Sequence, residues 1–241
     1  MAGEEVVGLP VRAVVFDFDG LLMDTESTNI ASWMEEWAAW GVSLDPSTSF
    51  VPHGGDVTEH RYHVLAARVG DAFDVELSRV RRTARRDELN AALRLCAGIE
   101  SWLTRAAELG LRTAVASSSD TAWVERHLGQ VDAVGRFDVI VGGDQVTAHK
   151  PAPDVYRLAL DRLGVDPAEG VAVEDTAHGV DAAHAAGLAC IAIPNPQVDP
   201  SRLSRAALVL RSAEGSTLDE AIRLSTGRRV DVSRATRNSG G

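Results

Sequence analysis

Cysteine is almost absent: Cys96 and Cys190 are the only two in 241 residues. Both stand in apolar, alanine-rich surroundings, which predicts two buried reduced thiols and excludes a disulfide framework. Long apolar runs are missing as well. Met1 to Pro10 carries acids instead of an apolar stretch, so neither a signal peptide nor a membrane span is expected there, and the chain is read as cytoplasmic. Positive charge is in short supply, with 24 Lys and Arg against 35 Asp and Glu, a formal charge of −11. A chain this acidic is a poor general ligand for nucleic acid or an anionic membrane, and neither partner is expected. The same charge repels an anionic substrate at long range. Any site for one must therefore build its own local positive field.

What is present is apolar material for a core, 45 % of the residues, in a length that suits one α/β domain or a core domain with a smaller insert. Val11 to Phe16 is a short apolar, β-branched run that ends abruptly at Asp17. That pattern suits a buried parallel strand whose carboxyl end opens into a site. It recurs at Thr113–Ala116 before Ser117, at Val139–Val141 before Gly142, at Val171–Val173 before Glu174, and at Cys190–Ile193 before Pro194. Helical stretches lie between, each followed by a glycine: Glu100–Leu109, Pro153–Leu163 and Ala177–Ala186. Alternating strands and helices imply a doubly wound parallel sheet, a Rossmann-like α/β core, with sites at the carboxyl ends of the strands.

The stretch from Thr28 to Leu93 breaks the alternation. It reads as helix, with loops near Asp45 to Asp56 and around Gly70, and is assigned as a small inserted helical domain. The expected division is residues 1–27 and 94–227 for the α/β core, 28–93 for the helical cap, and 228–241 for a flexible tail. Trp33, Trp37 and Trp40 share one helical face, either as the insert's own core or as an aromatic wall over a ligand.

Chemistry-bearing residues gather at the strand ends. Asp17 and Asp19 are two carboxylates just after a buried strand, costly in desolvation and self-repulsion unless a cation shares them. A hard, oxygen-binding ion such as Mg²⁺ fits that set. Gly20 lets the chain turn away. Ser117, Ser118 and Ser119 offer hydroxyls and backbone amides that can hold a phosphate, or can simply cap the helix that follows. Lys150 sits in a Lys-Pro loop, and Glu174-Asp175 is a second acidic pair at a strand end. Each cluster alone is ambiguous.

Taken in order, they resemble the four motifs of the haloacid dehalogenase superfamily. Val14-Val15-Phe16-Asp17-Phe18-Asp19-Gly20, continuing to Asp24-Thr25-Glu26, is similar to the first motif. Val115-Ala116-Ser117-Ser118-Ser119 is similar to the second, Lys150-Pro151-Ala152-Pro153-Asp154 to the third, and Val173-Glu174-Asp175-Thr176 to the fourth. Within the superfamily the chain looks like the β-phosphoglucomutase-like branch, whose helical cap follows the first motif. The resemblance implies a Mg²⁺-dependent phosphatase acting on a small phosphorylated metabolite such as a sugar, polyol or cyclitol phosphate. It implies Asp17 as nucleophile, Asp19 as acid and base, and Ser117, Ser118 and Lys150 as phosphate ligands. Metal ligation would fall to the Asp17 side chain, the Asp19 backbone carbonyl and Asp175, with Glu174 beside them. Asn29, His53, Gly54 and Gly55 are the expected cap contacts to substrate, and a monomer is expected.

An alternative within the resemblance is a phosphosugar mutase. Mutases of the branch carry a His at the position of Asn29 and a Lys at that of Asp120, and both departures favour water as the acceptor. A catalytically silent binding protein is the less favoured alternative, given intact Asp17, Asp19, Lys150 and Asp175. Ala97-Gly98 replaces the family's Pro-Gly, a change expected to be harmless. The arginines 79, 81, 82, 85 and 86 read as a solvated helix face or a basic rim. His60 and His63 lack a third ligand and do not make a metal site.

Overall fold

The computed structural model describes residues 10–44 and 58–228. Six parallel strands form one sheet in the order β3-β2-β1-β4-β5-β6. They are β1 (Ala13–Phe16), β2 (Arg112–Ala116), β3 (Val139–Val141), β4 (Gly170–Glu174), β5 (Ala189–Ala192) and β6 (Leu208–Val209). β1 and β4 are buried along their whole length, as a central strand covered on both faces must be. The chain builds the sheet outward from β1 to β3 on one side, then returns to place β4 on the other. The reversal falls between β1 and β4, and open α/β sheets bind ligands at the carboxyl ends beside such a point. Register brings the ends level there: Phe16 lies opposite both Val115 and Val173, so Asp17 leaves the sheet beside Glu174.

The helices are α1 (Thr25–Ala39), α2 (Thr58–Val69), α3 (Val75–Ala91), α4 (Ile99–Glu108), α5 (Thr121–Gly129), α6 (Asp154–Leu163), α7 (Ala177–Ala185) and α8 (Leu218–Thr226). α4 buries Ile99, Trp102, Leu103 and Ala106, the spacing of a single helical face. Trp102 also donates its indole N–H to the Ser216 carbonyl at 2.9 Å, and Arg105 reaches Asp219 at 2.9 Å, which ties α4 to the start of α8. The sequence pattern finds five strands and misses β6 and α8. β6 is two residues long, too short for a period to register. Cys190 is buried and Cys96 half-buried, and both are free thiols. Among the described residues no helix is long and apolar enough to cross a membrane.

The chain divides into two compact units, Met1–Asp24 with Arg94–Gly241, and Thr25–Leu93. The smaller unit has its own core of Trp33, Trp37, Leu44, Tyr62 and Leu65, with Trp40 packed against it. The three tryptophans are thus core residues of the insert. Of its arginines, Arg82 is buried, whereas Arg79, Arg81 and Arg85 stay partly exposed and pair with acids. Arg81 pairs with the buried Glu36 at 2.7 Å and Arg85 with Glu35 at 2.7 Å, because α1 presents its acids to α3. Arg82 is only 4 % exposed, with its guanidinium 4.0 Å from the Trp33 ring centre and a 2.6 Å bond to Asn29.

Gly98 opens α4 at φ 84, and a Cβ there would run into the backbone of Ala213 and Glu214. Gly129 closes α5 with open space around it and no positive φ. Gly98→Ala should therefore cost about 2 kcal/mol or more, while Gly129→Ala should be neutral or stabilising by roughly 0.5 kcal/mol. Thermal melts of the two variants check this difference.

Candidate active site

Asp17 continues β1 by one residue, its N–H donating to the Val173 carbonyl at 2.9 Å. The chain then turns sharply. The Gly20 N–H meets the Met23 carbonyl at 2.8 Å, and Gly20 holds φ 82. A side chain at Gly20 would collide with the Asp175 carboxylate and the Asn195 amide. Glycine is required here twice over, for the backbone angle and for the close approach of β4's carboxylate.

Lys150 is the only lysine in the chain, against 23 arginines. Its ammonium is buried, with 6 % of the side chain exposed, and donates to Asp17 Oδ1 and to Glu174 Oε1, the latter at 2.6 Å. The Tyr156 hydroxyl donates to the same Glu174 oxygen at 2.6 Å, and the Tyr156 ring lies 5.0 Å from the ammonium. The other Glu174 oxygen accepts from the Asp175 N–H at 3.1 Å. Asp175 is held in turn by the Asn195 amide at 2.6 Å. A Cβ at Gly179 would sit inside the Glu174 carboxylate, so α7 must start with a bare backbone at that point.

Asp17, Glu174 and Asp175 are all buried, and each offers an oxygen within 4.8 Å of the others. Three carboxylates face one ammonium, and the imbalance appears in their proton affinities. Burial drives the Asp17 carboxyl up, the Lys150 ammonium pulls it back, and the balance lies at about 8. Burial, then the neighbouring Asp17 and Glu174, pushes Asp175 well above the usual carboxylate range. Burial works against the Lys150 charge, yet the two carboxylates beside it outweigh burial and hold the ammonium above its ordinary value. A buried, all-oxygen donor set with surplus negative charge suits a hard divalent cation. Among the described residues no other group of acids, histidines or cysteines is gathered this way.

Asp19 points elsewhere. Its Oδ2 accepts from Ser119 Oγ at 2.7 Å and Ser117 Oγ at 3.2 Å, and its Oδ1 accepts from Trp123 Nε1 at 3.1 Å. The Ser119 N–H donates to Ser117 Oγ at 3.0 Å, which fixes the buried serine at the end of β2.

Asp17, Asp19, Ser117, Lys150, Glu174 and Asp175 thus meet at the carboxyl ends of β1, β2 and β4. Ser118 is exposed, and its hydroxyl takes no part in this network. Asn29 lies in the insert, where its side-chain oxygen accepts from Arg82. His53, Gly54 and Gly55 lie outside the described residues. Sequence reasoning passes over Trp123, Tyr156 and Asn195. Asn195 follows β5 by three residues, so the strand-end rule that flags Glu174 could also flag it. Trp123 and Tyr156 look like ordinary amphipathic-helix residues until the fold turns them toward carboxylates.

Comparison with known proteins points to one family. The family model described as haloacid dehalogenase-like hydrolase matches residues 14–193. YhcW of Bacillus subtilis is 36 % identical over 197 residues, covering 77 % of this chain and 84 % of its own. The fructose-1-phosphate phosphatase YqaB of Escherichia coli is 31 % identical over 178 residues, covering 73 % of this chain and 92 % of its own. A crystal structure of CbbY from Rhodobacter sphaeroides in complex with phosphate has a TM-score of 0.62 and 30 % identity, covering 85 % of this chain and 95 % of that one.

The carboxylate surplus has a consequence for stability. The folded pKa of Asp17, about 8, lies above its ordinary value of 3.8. Between those limits the metal-free folded protein binds more protons than the unfolded chain, so its stability falls as pH rises through the window. In EDTA the thermal midpoint should fall as pH rises from about 5 to about 9, and Asp17→Asn should flatten that slope. A divalent cation should restore the midpoint most at the alkaline end. A midpoint independent of both pH and cation would contradict this account.

Proposed function

The chain belongs to the haloacid dehalogenase-like hydrolases and is a phosphoric monoester hydrolase, and on that premise we propose that it uses Asp17 to remove phosphate from a small phosphorylated metabolite. A sugar, polyol or cyclitol phosphate is the substrate class. The observation that carries this reading is the buried Asp17 carboxylate held by Lys150, with the Asp19 carboxylate two residues along and set among serine hydroxyls. YqaB, a fructose-1-phosphate phosphatase by name, supports a phosphosugar.

In the first step an Asp17 oxygen attacks phosphorus, and the phosphorus–oxygen ester bond breaks. The departing alcohol oxygen takes its proton from the Asp19 carboxyl group. Lys150 and the Ser117 hydroxyl stabilise the charge on the transferring phosphoryl oxygens. In the second step water attacks the aspartyl-phosphate and gives a proton to Asp19, releasing inorganic phosphate and restoring the Asp17 carboxylate. Mg²⁺, held by Asp17 and Asp175 with Glu174 beside them, would supply electrostatic stabilisation of the phosphoryl group when bound. Together with Tyr156, Glu174 also anchors the Lys150 ammonium against Asp17.

Water is the acceptor in this reading, rather than a second sugar. Asn29 cannot exchange a proton near neutral pH as an imidazole can. Asp120 at the start of α5 is an exposed acid where the resembling mutases place a lysine. The mutase alternative therefore lacks both of its characteristic side chains.

Asp17→Asn keeps the size of the side chain and removes the attacking charge. It should lower turnover of p-nitrophenyl phosphate by roughly 10³-fold or more with the fold intact. Appreciable turnover by a clean preparation would sink the aspartyl-phosphate mechanism. Lys150→Arg preserves charge, but its planar fork does not fit a cavity shaped for an ammonium, so activity should fall nearly as far as in Lys150→Ala. With β-glucose 1-phosphate and a bisphosphate primer, phosphorus NMR should show inorganic phosphate as the main product. Dominant glucose 6-phosphate would promote the mutase reading.

A further inference from the structure

Asp19 is the group that moves protons in the proposed reaction, so what aims it matters. Its two oxygens meet different kinds of partner. Oδ2 faces hydroxyls, from Ser119 at 2.7 Å and Ser117 at 3.2 Å, and a hydroxyl can turn to donate or to accept. Oδ1 faces the Trp123 indole at 3.1 Å, and an indole N–H donates only. With hydroxyls alone, either oxygen of the acid form could carry the proton. The one-way donor makes the two sides unequal.

The indole is itself braced. Trp123 lies in the first turn of α5, and its ring packs at a tilt against His127 one turn later, with ring centres 4.0 Å apart and planes 46° apart. The buried His127 places its Nδ1 2.8 Å from the Trp123 carbonyl, and its ring lies 6.2 Å from Phe18, the residue between the two aspartates. The Arg126 guanidinium lies 5.1 Å from the indole ring centre. Rotating the indole away from Asp19 would break its contact with the His127 ring.

We propose that Trp123 is a positioning residue whose indole N–H holds one Asp19 oxygen, Oδ1, as an acceptor and so leaves the proton of the acid form to Oδ2, the oxygen beside Ser117, where the phosphoryl ester is bound. This rests on the phosphatase reading for the role of Asp19, while the contact itself is independent of it. The oxygen that faces Ser117 is then the one that delivers the proton to the departing alcohol. Without the indole bond the carboxyl plane is less fixed and the proton can sit on either oxygen, so fewer encounters are productive.

The test compares leaving groups. An alkyl alkoxide needs a proton as it departs, whereas p-nitrophenolate leaves without one. Trp123→Phe keeps an aromatic ring against His127 and removes the N–H together with part of the ring system. Its kcat/KM for a simple alkyl phosphate should fall about tenfold relative to its kcat/KM for p-nitrophenyl phosphate, with a normal thermal midpoint. Asp19→Asn should show the same pattern more strongly. An equal fall with both esters, or none, would overturn the positioning role. A second measurement needs no turnover. The chain has five tryptophans, and the indole N–H signal that disappears from the proton NMR spectrum of Trp123→Phe identifies Trp123. In Asp19→Asn that signal should move upfield, and an unmoved signal would overturn the contact. If the wild-type protein hydrolyses neither ester, the phosphatase reading fails and the positioning role falls with it, whereas an unmoved indole signal in an active enzyme removes the Trp123 proposal alone.

Discussion

The contact of the Lys150 ammonium with Asp17 and Glu174 is the interaction on which the rest of the site depends. It places one positive charge among three buried carboxylates. Removing it would leave several like charges in a medium that solvates them poorly, at a cost of roughly 3–5 kcal/mol. Keeping it still leaves the cluster with negative charge to spare. The fold answers by raising the proton affinity of Asp17 and Asp175. The same deficit would favour a bound cation, which would then stabilise the fold as it binds.

Sheet topology makes the arrangement possible. Asp17 and the acidic pair follow strands more than 150 residues apart in sequence, yet β1 and β4 are direct neighbours with Phe16 level with Val173. Two close approaches complete the design. Gly20 lets the loop after β1 pass under Asp175, and Gly179 lets the start of α7 close on Glu174. Each is a place where the backbone gives way to a carboxylate, and together they fix the oxygen spacing before any ligand arrives. The serine side is organised separately, through Ser117, Ser119 and Asp19. Asp19 and Asp17 are thus held by different parts of the fold.

Much of this is legible in the sequence because the strands are central and the site residues directly follow them. An apolar run ending at an acid or a serine marks a strand end without any knowledge of pairing, and Asp17, Ser117, Glu174 and Asp175 all stand out that way. Lys150 is ambiguous as a loop cation and gains meaning only from its place in an ordered set. The residues that escape lie on helices. Tyr156 and Trp123 carry one polar atom on an apolar body, and a helical pattern reads only the body. The arginines of α3 escape for a related reason. Their acid partners Glu35 and Glu36 lie on α1, about fifty residues earlier in sequence, so local composition shows the partly exposed side of this face and misses its ion pairs to α1.

The solitary lysine also gives the molecule an unusual chemical surface. With Lys150 the only lysine and its side chain 6 % exposed, the folded protein presents no lysine amine to reagents that acylate or cross-link such groups. The nitrogen that would react is occupied by two carboxylates and held as an ammonium, a form that is not nucleophilic. Acylation of Lys150 therefore requires the site to come apart. Its extent in a mixed population would count opened molecules directly, with the active centre acting as its own reporter of integrity.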